Sequence, residues 1–138
     1  MTNAVRKIKD KVKQIPPLSL PQGSRQMVIE TDAPYKAWGG ILIEKHGDKK
    51  EISSYALEAF INIEINYPSS HKEILAVKKT VNHFKIYLKP VKFIVRTDLK
   101  IMPGIFKNEN LMEECSYRIL KWFLWLQNFD FDIVYKPG

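Results

Sequence analysis

The chain has 138 residues, 45% hydrophobic and 12% aromatic, which is enough to bury the core of one domain and too little for two. Lys and Arg outnumber Asp and Glu by 22 to 15, a net charge of +7 that suits a surface drawn to polyanions such as nucleic acid or anionic lipid. The single cysteine, Cys115, excludes an intramolecular disulfide and a cysteine-based zinc site and suits a reducing, intracellular setting.

Val5, Ile8, Val12 and Ile15 recur at helical spacing among Arg6, Lys7, Lys9, Lys11 and Lys13, which predicts a short amphipathic helix with a basic face. Pro16 and Pro17 end it. The N-terminus has no apolar signal core, and the longest apolar run, Trp122 to Leu126, is far short of the roughly 20 residues that span a bilayer, so a soluble domain without a membrane partner is expected. After a loop over Pro21 to Ser24, strands are predicted at Gln26 to Thr31, Trp38 to Glu44 and Glu51 to Ala56, with turns at Ala33-Pro34-Tyr35-Lys36 and Gly47-Asp48. They form three antiparallel strands in succession.

Ser70 stands three residues before Glu73 in a capping-box pattern, and Ile74, Val77, Val81, Phe84 and Leu88 continue one apolar face, so a helix is expected from about Pro68 to Leu88. Pro90 closes it. Val91 to Thr97 reads as a fourth strand and Glu113 to Asn128 as a helix on Tyr117, Leu120, Leu124 and Trp125; Phe129 to Tyr135 follows as a last strand. An extra helix fits between Leu99 and Phe106. The order β-β-β-α-β-α-β indicates an α/β fold, a five-stranded mixed sheet with helices packed on it. Trp38, Phe84, Trp122 and Trp125 read as core, because an aromatic in a patterned element usually packs.

Asp32 ends the first strand, Glu73 lies near the start of the long helix, and Asp98 ends the fourth strand. Side chains at such positions can converge on one sheet edge, where grouped carboxylates repel each other unless they hold hard cations, magnesium above all. Spacing alone leaves this open: Asp at a strand end is a routine turn former, and Glu73 has a capping role.

Glu30-Thr31-Asp32-Ala33 with Trp38-Gly39-Gly40 resembles the first two strands of retroviral-type ribonuclease H domains. Asn66-Tyr67-Pro68 with His71-Lys72-Glu73 and Leu75-Ala76-Val77 looks like that family's Glu-bearing helix, and Arg96-Thr97-Asp98 like the strand ending in its third Asp. Trp122, Leu126-Gln127 and Phe129 to Gly138 are similar to the last helix and strand of gypsy-type and plant pararetroviral enzymes. The resemblance is to the ribonuclease H domain of a reverse transcriptase polyprotein, closest to the Caulimoviridae and within them to badnavirus- or tungrovirus-like members.

That resemblance implies a ribonuclease H-like fold over residues 25–138, preceded at 1–24 by the end of the segment that joins polymerase to nuclease. It implies a nuclease that cuts the RNA strand of RNA/DNA hybrids with two Mg2+ ions, Mn2+ serving as substitute, in host cytoplasm or viral particle and beside its polymerase. Asp32, Glu73 and Asp98 correspond to three of the family's four metal-binding carboxylates, Asp32 bridging both ions. The fourth acid and the C-terminal helix of the family follow Tyr-Lys-Pro-Gly, here the last residues, so weakened cleavage is expected; Asp130 and Asp132 read as solvent-facing strand residues rather than substitutes. Pro34 stands where the family has Ser, removing a hydroxyl and an N–H near the scissile strand. His71, Lys72, Arg96 and Lys100 are the candidate contacts to the hybrid, with solvated surface the ordinary alternative for each. Two other readings remain: a domain of this fold that binds nucleic acid or tethers the polymerase without cutting, and an integrase-like core, for which Glu113 and Glu114 lie in the wrong surroundings.

Overall fold

The computed structural model describes residues 25–107 and 116–137. The basic helix expected before them, and Glu113, Glu114 and Cys115, lie outside the described residues. Strands β1 (Gln26–Asp32), β2 (Ala37–His46) and β3 (Lys49–Ala59) form two successive antiparallel hairpins. The first turn closes with the Ala37 N–H donating to the Pro34 carbonyl at 3.3 Å; in the second, Gly47 takes φ +64°, a conformation that costs a residue without a Cβ little. Then come helices α1 (Asn62–Ile65), α2 (Ser69–His83) and α3 (Lys85–Leu88), strand β4 (Phe93–Thr97), helices α4 (Met102–Lys107) and α5 (Tyr117–Leu126), and strand β5 (Phe131–Tyr135). The sheet runs β3-β2-β1-β4-β5, with β4 parallel to both β1 and β5. This is the five-stranded mixed sheet that the sequence predicts, and α4 is the extra helix after Leu99.

Alternation along the strands divides the core. Met27 and Ile29 of β1 and Phe93 and Val95 of β4 join the large cluster under the helices, while Val28, Ile41, Ile43 and Ile52 form a smaller one with Ile94. Ile74, Val77 and Val81 of α2 and Trp122, Phe123 and Leu126 of α5 fill the large cluster, each side chain contributing roughly 1.5–3 kcal/mol on burial. Trp38 and Phe84 are buried with them, and Trp125 is half-buried against the same core. Helix α2 seats directly on β2, because Gly40 leaves room for Thr80: a Cβ at that position would lie 2.3 Å from the Thr80 Oγ1.

Two details of the long helix differ from the sequence reading. The helix breaks at Phe84, where φ −102° and ψ 16° separate α2 from α3, so Phe84 stays in the core while the chain turns toward β4. No capping box forms at Ser70, which lies inside the helix; Pro68 is the N-cap, with no side-chain hydrogen bond. The carboxylate that caps is Glu64, whose Oε1 accepts the Ile61 N–H at 3.1 Å and steadies the unforeseen α1. Glu73 is thereby left without a capping duty.

Candidate metal centre

Parallel pairing sets Val28 beside Ile94 and Glu30 beside Arg96, so two residues further on Asp32 and Asp98 stand abreast at the C-terminal ends of the two central strands. Glu73 reaches the same edge from α2. One carboxylate oxygen from each of the three lies within 4.8 Å of the others, and among the described residues no other group of three ligating side chains forms. Local bonds hold the ends in place. The Ala33 N–H donates to the Asp32 Oδ1 at 2.8 Å. The Thr97 hydroxyl oxygen accepts the Leu99 N–H at 3.1 Å while the Thr97 carbonyl accepts the Lys136 N–H at 2.8 Å, which fixes the chain on both sides of Asp98.

The three acids differ in setting. Asp98 is exposed, while Asp32 and Glu73 are half-buried. Burial, then the charges of Asp98 and Asp32 and a hydrogen bond with Asp98, push the Glu73 carboxyl up to about 8, against a smaller opposite pull from the Ala33 N–H. The Glu73 Oε2 is buried and finds no hydrogen-bond partner among the described residues. A buried oxygen without a donor, in a group of carboxylates that repel one another, fits a hard divalent cation: the cation supplies both the missing partner and the missing charge.

The basic residues fare unevenly. Lys72 is only 6% exposed, and its ammonium donates to the carbonyls of Tyr35 at 2.9 Å and Ile65 at 3.2 Å. Of the four residues offered as contacts to the hybrid, Lys72 is the one whose charge is turned inward. It is a tie between the β1–β2 turn and the helices, and sequence gave no signal for it, since a lysine in the first turns of a helix is ordinarily solvated. His71 is half-buried, edge-on to Trp122, with the Arg118 guanidinium 3.3 Å from its Nδ1; burial, then the Arg118 charge, push its pKa down. Arg96 pairs with Glu30 at 3.1 Å, an acid that Lys136 also contacts. Lys100 is exposed two residues beyond Asp98. Asp130 and Asp132 are exposed, and Asp132 lies 3.6 Å from Lys92. Thr97 was not singled out from the sequence, although a hydroxyl residue just before an acid at a strand end is a recognisable turn signal.

The model of the RNase H-like domain found in reverse transcriptase matches residues 22–129. The chain belongs to this family. The enzymatic polyprotein of carnation etched ring virus is 41% identical over 133 residues, covering 96% of this chain, and that of cauliflower mosaic virus (strain Strasbourg) is 36% identical over 139 residues, covering 97%. The chain spans 20% of the length of each of these polyproteins. Such relatives are Caulimoviridae polyproteins, as the sequence resemblance implies; a badnavirus- or tungrovirus-like source does not follow from them. Among solved structures, the foamy virus protease-reverse transcriptase in complex with an RNA/DNA hybrid superposes with a TM-score of 0.67 at 16% identity, over 99% of this chain and 19% of that one. The N-terminal RNase H domain of rv2228c from Mycobacterium tuberculosis gives 0.59 at 14% identity, over 82% of this chain and 83% of that one. At these identities the likeness shows the shared fold, the ribonuclease H-like architecture. No helix of the described residues is long and apolar enough to cross a membrane.

Proposed function

We propose that this domain hydrolyses the RNA strand of RNA/DNA hybrids during reverse transcription, with Asp32, Glu73 and Asp98 holding two divalent cations, Mg2+ or in its place Mn2+. The observation that carries the reading is the convergence of the three carboxylates within 4.8 Å, together with a buried oxygen of Glu73 that has no partner among the described residues. When bound, such a pair of ions lowers the pKa of an attacking water and stabilises the leaving oxygen of a phosphodiester. The chain's own residues supply oxygens and geometry. Asp32, at the end of the central strand β1 and within reach of both other acids, would be a ligand to the ions alongside Glu73 and Asp98. Glu73 holds a proton in the metal-free protein near neutrality and gives it up on loading. The bonds that Thr97 makes on either side of Asp98 keep that carboxylate directed at the site.

The three carboxylates would supply only some of the oxygens that two such ions take, with water completing both shells. Mn2+, which tolerates irregular ligand sets, then sustains more cleavage than Mg2+. Selection of the hybrid rests on shape and 2′-hydroxyls in its wide minor groove, with little sequence preference; Lys100, two residues after Asp98, and His71, two before Glu73, are the proposed contacts. The polymerase domain of the same polyprotein is the proposed partner.

The test is a hybrid labelled on either strand, incubated with the chain or with Asp32→Asn in Mg2+ and separately in Mn2+. Cleavage confined to the RNA strand, greater in Mn2+ and lost with Asp32→Asn, is the expected result. Hybrid bound by the chain but uncut in both metals would put binding without cutting in its place.

A further inference from the structure

Helices α1, α2 and α5 border a cleft of about 400 Å³, within the range of about 300–1,000 Å³ typical of small-molecule sites. Four cations line it, Lys78 and Lys79 from α2 and Arg118 and Lys121 from α5, against one acid among the described residues, Glu64. That acid is already engaged, 3.3 Å from Lys79. Burial, followed by the charges of Lys79 and Lys121, pushes Lys78 down, against a smaller opposite pull from Glu64. The aromatic lining is arranged as well. The Arg118 guanidinium lies 3.7 Å from the centre of the Tyr67 ring, and Tyr117, at 81% exposure, presents a large ring to solvent.

We propose that this cleft binds single-stranded nucleic acid, with a phosphodiester held by Lys78 and Lys121 and a base stacked on Tyr117. Cations interleaved with open aromatic rings are the combination that single strands select: phosphates take the charge, and every base has a face to stack. An acidic peptide would use the cations and leave the tyrosine without a role. The carboxylates of the metal centre line none of this cleft, so the site is separate from the nuclease reading and stands or falls without it. Arg118 also contacts His71, two residues before Glu73, so the cleft opens within a turn of the helix that bears Glu73.

The experiment measures binding of a fluorescent single-stranded oligonucleotide to the chain by anisotropy, with EDTA present so that cleavage plays no part. Tyr117 and Lys121 are exposed, so Tyr117→Ala and Lys121→Ala are compared with Lys49→Ala, an exposed lysine at the start of β3, after thermal melting confirms that all three fold. The expected result is about a tenfold loss for Tyr117→Ala, in keeping with one stacked base. For Lys121→Ala, the slope of log affinity against log salt should fall by about 0.7, one phosphate contact to a single strand, with little change for Lys49→Ala. Equal, small losses in all three variants would overturn the proposal. So would displacement of the oligonucleotide by oligoglutamate at matched charge, which would make the cleft a surface for acidic peptides.

Discussion

Glu73 carries the sharpest consequence of the site's electrostatics. Its carboxyl titrates at about 8 in the fold against an ordinary value of 4.5, so between those values the native protein keeps a proton that the unfolded chain has released. Stability of the metal-free chain therefore falls as pH rises through that window, by at most about 5 kcal/mol, and is level above it. Urea unfolding from pH 5 to 8 in EDTA should show this decline, and Glu73→Gln, which cannot ionise, should flatten that part of the curve; an unchanged slope in the variant would place the titration elsewhere. Lys72 gives a second case. Its replacement by Met leaves the carbonyls of Tyr35 and Ile65 without their donor, a loss on the order of 3 kcal/mol that should appear as a lower urea midpoint with the slope unchanged. The three acids were legible in the sequence because they occur in a recognisable order and company. Lys72 was not, because burial of one ammonium depends on a turn 37 residues away folding back over it.

The elements themselves were legible where a local pattern makes them. Runs of strand-forming residues marked β1 and β2, alternation marked β3, and Gly47-Asp48 marked their second turn. The breaks were harder to see. The apolar face from Ile74 to Leu88 is continuous in sequence, and the division at Phe84 comes from the need to bury that ring while turning toward β4. The four-residue α1 depends on the Glu64 bond to the Ile61 N–H, which no periodicity reports. Where α2 meets β2, the contact depends on Gly40. Gly40→Ala brings a methyl group within 2.3 Å of the Thr80 Oγ1 and against the rest of that β-branched side chain, so it should cost about 1–3 kcal/mol by overpacking. The loss is read by thermal melting, and because α2 carries Glu73, cleavage should weaken with it. A Gly40→Ala protein of unchanged Tm would show that the helix can lift from the strand at no cost.

At the scale of the whole molecule, the topology is what assembles the site. Parallel pairing of β4 with β1 brings together two acids 66 residues apart in the chain, and the helix between these strands adds the third from above. Class and sheet could be read from the order of elements, but the meeting of Asp32, Glu73 and Asp98 needed the register. Since a cation bound only by the native state stabilises it, Mn2+ at a hundred times its Kd should raise stability by about 2.7 kcal/mol, seen as a higher Tm than in EDTA. The most direct measurement is Mn2+ binding itself, followed through the electron paramagnetic resonance signal of the free ion, for the chain, Asp32→Asn and Glu73→Gln at pH 8. The account predicts that the chain removes free-ion signal, that Asp32→Asn removes far less, and that Glu73→Gln weakens binding too; three identical titrations would contradict it.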